Sequence, residues 1–428
     1  MLEVGVRPLH LLCCVHAPMK QSTTFICLLL AVSSFAQGAT TLDYGSANRT
    51  ELSAGIAPRR LGEEPVPSVA MEDLPTVAVK LTAPTAVLTF RYQQRWYLRD
   101  PNLYGLTTPI LLHRLFGTYS KALTLRLALN ADVALTYGVL DYTSFATYAL
   151  SSPTTTTTVP ISGFIRTATE AAGLGFNYQA TNRTTLGLRA SGNRRQVFNQ
   201  QITTFTLGNS QAFALTASLG YILSEKTTTN ASLTISDSEV DPHPPIRNMG
   251  LLFGVTHRFS RTETGTLGGG VTAFAPRGQD ASWAPVASAS FNKLTGRDGR
   301  RVIWTASSGY TTLVDTISGR LLTVATTTGN VTAELGNRWT ATATLYGSVP
   351  TTSKPIANGM AESAAQASLT FTRAIGNHAE FFTGIRQSWL MTHPKATPFE
   401  VLDRQTWVFS GFALWLATPD GTNGRWVL

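Results

Sequence analysis

Cysteine is nearly absent: Cys13, Cys14 and Cys27 are the three in 428 residues, and all lie close to the start. Charged residues make up 14% of the chain, too few for a disordered, self-repelling sequence. Long apolar runs are missing as well. Outside the N-terminus no stretch reaches about 18 consecutive apolar residues, which excludes a bundle of membrane-spanning helices despite a mean hydropathy of +0.03. Leu, Glu, Lys and Ala at helical spacing are also scarce. Thr, Ser, Ala, aromatics and 35 Gly take their place, a composition that suits strands joined by turns.

At the N-terminus, Lys20 precedes an apolar run from Phe25 to Phe35, and Ser34-Phe35-Ala36 offers small residues where a signal peptidase cleaves. The pattern predicts a signal peptide over residues 1–36, with Met19 as an alternative start and Gly38 as an alternative cleavage site. The apolar run is short for a membrane anchor. Cleavage removes every cysteine, so the exported chain has no disulfide, no thiolate metal site and no cysteine nucleophile. Residues 37–83 are punctuated by Pro58, Pro65, Pro67 and Pro75 among mixed charges, which reads as a periplasmic flexible segment or small plug.

From residue 84 to 418 a device repeats. Polar punctuation falls near Lys121, Asn182, Glu225, Arg261, Gly296, Asn337 and Asn377. The turns read YQATNRT (178–184), YILSEKT (221–227), HRFSRTE (257–263), KLTGRDG (293–299), AELGNRW (333–339) and RAIGNHA (373–379). Between them residues alternate. Leu123, Leu125, Leu127, Leu129, Val133, Leu135 and Tyr137 oppose Thr124, Arg126, Asn130 and Asp132. Phe213, Leu215, Ala217 and Leu219 oppose Thr216, Ser218 and Gly220 in the same way. Two long strands per repeat do not make a propeller blade, which needs four short ones. The pattern predicts an all-β fold: a transmembrane antiparallel up-and-down β-barrel of about 16 strands, within a range of 14 to 18, with both ends periplasmic and residues 419–428 as a tail.

Parity then sorts the side chains. Arg91, Arg95, Arg126, Asp132, Arg189, Arg258, Glu334 and Arg386 are expected to line the lumen, where surplus positive charge favours anions. Trp96, Tyr119, Tyr178, Tyr221, Trp283, Trp339, Trp389 and Trp407 are expected to form aromatic girdles at the bilayer interfaces. The net charge of +9 is scattered through strand-like segments, so nucleic acid is not an expected partner. Catalysis has little support. His243, Asp241 and His393 share the outer loops, but beside prolines and without a ligand or triad spacing. Leu267-Gly268-Gly269-Gly270 has no following helix to hold a phosphate. No cofactor, metal or enzymatic activity is expected.

The leader, the cysteine-free remainder and the repeated aromatic-x-x-Ser/Thr-x-Lys/Arg-Thr turns, clearest in YILSEKT and YQATNRT, resemble outer-membrane β-barrel porins of Gram-negative bacteria. The resemblance is strongest to a group linked to exopolysaccharide or exosortase systems, and spans residues 84–418 loosely. It implies an outer-membrane location, outer-membrane lipid and the barrel assembly machinery as partners, and a water-filled pore for hydrophilic solutes, with polysaccharide or anionic solutes as cargo. A non-conducting barrel that anchors an envelope assembly is the alternative, and the oligomeric state stays open.

Overall fold

The computed structural model describes residues 41–58, 65–99, 110–141, 164–201, 208–277, 280–297, 300–314, 321–336, 338–351, 363–391 and 401–416. Every regular element among them is a strand. The first group comprises β1 (Thr41–Pro58), β2 (Pro65–Asp73), β3 (Thr76–Ala83), β4 (Ala86–Arg99), β5 (Ile110–Ala122) and β6 (Leu127–Asp141). Next come β7 (Phe164–Gln179), β8 (Thr184–Gln201), β9 (Ser210–Ser224), β10 (Thr227–Val240), β11 (Ile246–Arg258), β12 (Glu263–Pro276) and β13 (Ser282–Thr295). The chain ends with β14 (Val302–Val314), β15 (Leu321–Gly336), β16 (Trp339–Pro350), β17 (Ser363–Ile375), β18 (Ala379–Met391) and β19 (Val401–Trp415).

Apart from β2 and β3, neighbours in sequence pair antiparallel, and β1 pairs with β19, so the sheet closes on itself. The segments β2 and β3 are one barrel strand. Thr50 pairs with Asp73 and Ala47 with Thr76 in unbroken register along β1. Between them Leu74 N–H donates to Arg49 O at 2.9 Å, and Gln94 N–H donates to Pro75 O at 3.0 Å. Pro75 has no N–H to return, and that missing donor is what divides the strand. The nineteen segments therefore make an eighteen-stranded closed antiparallel barrel.

Eighteen is the upper end of the expected range of 14 to 18, and the two strands beyond sixteen come from the segment expected to be flexible or a plug. Residues 41–58 and 65–83 are barrel wall. Their prolines conceal an ordinary alternation, in which Leu42, Tyr44, Leu52, Ile56, Val69, Met71, Val77 and Val79 all stand exposed on one face. Pro58 and Pro65 pair at the end of their hairpin, where lost donors cost little. The proposed signal peptide (1–36) and tail (419–428) lie outside the described residues.

One rim of the barrel carries the tight turns, from residues 84–85 to 376–378, and the other carries the longer connections. Both ends of the wall belong to the tight-turn rim, since Ala47 pairs with Trp415. Hydroxyls build several of these turns. Thr124 Oγ1 accepts the N–H groups of Arg126 and Leu127 at 3.1 and 3.0 Å, and Thr181 Oγ1 accepts those of Arg183 and Thr184 at 3.1 and 3.0 Å. The β15–β16 turn uses left-handed backbone at Gly336 (φ 79°) and Arg338 (φ 66°). A second correction follows: β6 begins at Leu127, so Leu123 and Leu125 belong to the turn, and Leu125 is fully exposed at its tip rather than midway up the wall.

Register fixes the two faces. Leu215, Ile235 and Met249 align across β9, β10 and β11, as do Ala217, Leu233 and Leu251. This outer face stays exposed, with Phe253 57% accessible. The opposite face joins hydroxyls and amides: Thr216 to Thr234 at 3.0 Å, Thr256 to Thr266 at 3.1 Å, and Ser236 to Asn248. Asn330 Nδ2 donates to Thr344 Oγ1 at 3.3 Å on the same face. Such cross-strand pairs are the local stabilising unit of a sheet without a central core.

Candidate functional site on the inner wall

Charge on the inner face gathers where the barrel closes. Glu51 of β1 and Glu72 of β2 are direct cross-strand partners, a pairing that like charges disfavour unless cations intervene. Arg95 of β4 grips Glu72 with two bonds, Nε to Oε1 at 2.8 Å and Nη2 to Oε2 at 3.2 Å, and is only 2% accessible. Arg386 of β18 reaches Glu51 at 3.6 Å, and Arg49 of β1 reaches it at 3.5 Å. Aromatic rings carry these arginines. Arg386 lies over Phe409 at 5.0 Å, Arg49 over Phe382 at 4.2 Å and Arg95 over Tyr97 at 4.8 Å. Gly411 makes room between them. A Cβ there would meet Phe382 Cζ at 2.6 Å and Glu51 Cα at 3.0 Å. The network links β18, β1, β2 and β4 across the closing seam.

A second pair spans a strand. Arg189 Nη2 of β8 bonds Asp132 Oδ1 of β6 at 2.5 Å, passing over Gly173 of β7. A Cβ at Gly173 would strike the Arg189 guanidinium and approach Asp132 Oδ1 to 2.8 Å, so only glycine leaves the path clear. Both partners are nearly half exposed, at 48% and 43%. Removing the pair with Asp132→Asn is therefore expected to change stability by less than about 1 kcal/mol. Urea unfolding of the folded protein in detergent measures it, and a much larger loss would mean that the pair holds the wall together.

The structure places Arg91, Arg95, Asp132, Arg189, Arg258 and Arg386 on the inner face, by register with the hydroxyl-bearing positions. Arg95 and Arg386 come together in the seam cluster, and Asp132 meets Arg189. Glu334 is also inward but sits at the tight-turn rim, held by Arg301 at 2.8 Å. Arg126 departs from its expected place: it lies in the β5–β6 turn, because the strand starts one residue later. Trp96, Tyr178, Tyr221, Trp283, Trp339 and Trp389 stand on the outer face near one rim or the other. Tyr119 shares that face but is buried in a cluster with Ala86 and Leu88.

Trp407 is a correction. It pairs with Arg386 and Gly55 on the inner face, is 8% accessible, and donates from Nε1 to Gln405 Oε1 at 3.3 Å. In β19 the residues Trp407, Phe409 and Trp415 all point inward while Val408, Phe412 and Leu414 point outward, so both faces are apolar and parity alone has no polar reference. Glu51, Glu72 and Arg49 are not among the residues that the sequence points to, because prolines mask the strands that carry them; the signal that identifies them is the alternation of Leu52 and Ile56 around Glu51 and Ser53. Arg114, also inward, donates from Nη1 to Gln93 Oε1 at 3.4 Å. His243 lies in the turn after β10, and His393 lies outside the described residues. Among the described residues no cluster of three or more His, Cys, Asp or Glu has metal-binding geometry.

At the long-connection end the inner wall turns apolar and buried: Leu112 and Ile110 of β5, Phe274 of β12 and Val324 of β15 are all under a tenth accessible. Fold and wall together define a large closed β-barrel with a polar, charge-bearing interior. No protein-family model matches the chain, and no curated protein matches it by sequence. Solved structures with similar form include OccK11 (OpdR) of Pseudomonas aeruginosa, at 11% identity over 88% of this chain and 96% of that one, with a TM-score of 0.45. The outer membrane protein opdK of Pseudomonas aeruginosa aligns at 10% identity over 88% and 99%, with a TM-score of 0.43. The copper transporter OprC aligns at 10% over 89% and 81%, with a TM-score of 0.45.

Proposed function

We propose that the chain is a Gram-negative outer-membrane barrel that forms a water-filled pore for hydrophilic solutes, with a preference for anions. The observation that carries this reading is the opposition of the two faces. A closed wall whose exposed outer face is apolar and whose inner face is hydroxyl, amide and charge is matched to hydrocarbon outside and water inside. Closure gives every described strand a partner on both sides, and barrels of sixteen to eighteen strands are wide enough for an aqueous channel. The inward arginines Arg91, Arg114 and Arg258 supply the positive field, while Arg189 and Arg386 are offset by Asp132 and Glu51.

Polysaccharide export is the more specific form of the reading. From β9 to β17 the middle of the inner wall is lined mainly by Thr, Ser, Asn and Gly, with Leu252 and Val286 among them, and hydroxyls both donate and accept, so they exchange hydrogen bonds with a polyol without trapping it. A planar bilayer tests the whole proposal. Purified protein is expected to conduct, to show an anion-selective reversal potential in a salt gradient, and to shift toward cations when Arg91, Arg114 and Arg189 are replaced together by Ser. Silent bilayers with correctly folded barrel would overturn the pore. They would favour the alternative, a barrel that anchors an envelope assembly without conducting, for which the buried apolar inner wall at the long-connection end speaks.

A further inference from the structure

A basic residue stands on each of six consecutive tight turns. Arg126 is in the β5–β6 turn, Arg183 in β7–β8, Lys226 in β9–β10, Arg261 in β11–β12, Arg300 in β13–β14 and Arg338 in β15–β16. All six are exposed, and none forms an ion pair with a described carboxylate. Two acids of the same rim are engaged with other cations, Glu263 with Lys293 at 2.6 Å and Glu334 with Arg301, while Glu225 stands exposed beside Lys226. The pore reading uses none of the six, because they lie on the rim and not on the inner wall.

A second feature sits directly beside them. Tyr178, Tyr221, Phe259 and Trp304 are exposed on the outer face at the tight-turn ends of β7, β9, β11 and β14. At Arg373 the two layers touch, its guanidinium lying 5.5 Å from the centre of the Trp339 ring. Exposed Trp and Tyr belong where hydrocarbon gives way to headgroups. Cations a few residues beyond that level stand at headgroup depth.

We propose that the tight-turn rim is a binding surface for the anionic phospholipid headgroups of the leaflet it meets; this rests on the reading of the chain as a membrane barrel. Successive turns are two strands apart, roughly 10 Å from the interstrand spacing, which is about one Debye length at moderate salt. The cations thus form a spread arc rather than a converging pocket. An arc at the aromatic level matches a plane of lipid phosphates, whereas a compact soluble polyanion would need the charges to close around it.

The test uses the full chain inserted into phosphatidylcholine vesicles containing a minority of phosphatidylglycerol, with bromine on the acyl chains of one lipid or the other. Tryptophan quenching reports which lipid lies against the wall. At low salt, brominated phosphatidylglycerol is expected to quench in excess of its share, with a preference of roughly five-fold. High salt should abolish that preference in the wild-type protein, and the combined variant Arg126→Gln, Arg183→Gln, Arg261→Gln and Arg338→Gln should lack it at low salt. Equal quenching by both lipids at low salt overturns the proposal, as does a preference that survives high salt. Polyphosphate binding to protein in neutral vesicles, without any lipid preference, would assign the rim to a soluble polyanion and overturn it too. Failure of the chain to insert, scored separately by vesicle flotation, counts against the membrane reading itself.

Discussion

Leu233→Arg is expected to abolish assembly, while Thr234→Arg and Leu125→Arg leave it nearly intact. Leu233 lies midway along β10 between Ala217 and Leu251, on the face that register assigns to the outside. In hydrocarbon, a guanidinium at that depth costs roughly 2–4 kcal/mol, a large share of the 5–15 kcal/mol by which proteins typically exceed their unfolded state. Its neighbour Thr234 faces inward, where it bonds Thr216 at 3.0 Å and where water can solvate an added charge. Leu125 sits at a turn tip, beyond the wall altogether. The yield of heat-modifiable protein in the outer membrane separates the three. Equal yields would show that the inner and outer faces have been exchanged or that the outer face does not meet lipid.

Arg95→Leu is expected to be the most damaging change on the inner wall. The substitution leaves the Glu72 carboxylate beside Glu51 with its bidentate partner gone, and breaking a buried pair from one side costs about 3–5 kcal/mol. Removing both charges differs in kind. In Arg95→Leu with Glu72→Leu no carboxylate is stranded at that position, so the double variant should recover most of the loss. Urea unfolding of the four proteins completes a double-mutant cycle. Costs that simply add would mean that Arg95 stabilises the seam through its contact with Tyr97 rather than through Glu72. In Asp132→Asn the same chemistry, half exposed, is worth little.

Much of the molecule was legible along the chain because its signals are local. Alternation has a period of two, so Phe213, Leu215 and Leu219 declare a face without reference to any other strand. Tight turns likewise depend on a few adjacent residues, and those at Asn182, Glu225, Arg261, Gly296, Asn337 and Asn377 all join strands. Where local signals conflict, sequence and structure part. Pro58, Pro65, Pro67 and Pro75 hide two strands, although Pro58 and Pro65 pair at a hairpin end and Pro75 only splits one strand into two segments. In β19, aromatic residues on both faces remove the contrast that parity needs, and Trp407 lies on the inner face rather than in a girdle.

By itself the sequence determined strands, turns and, over most of the wall, which side chains share a face, since each follows from backbone geometry within a few residues. The tertiary structure alone decided that β1 closes on β19, that the strands number eighteen, and that Arg386 meets Glu51 or Arg189 meets Asp132. Those facts rest on register between segments far apart in the chain. Sliding a strand by two residues preserves every alternation and every turn residue, yet it moves each inward charge past its partner. Only the closed set of hydrogen-bonded ladders, satisfied all the way round, selects one arrangement.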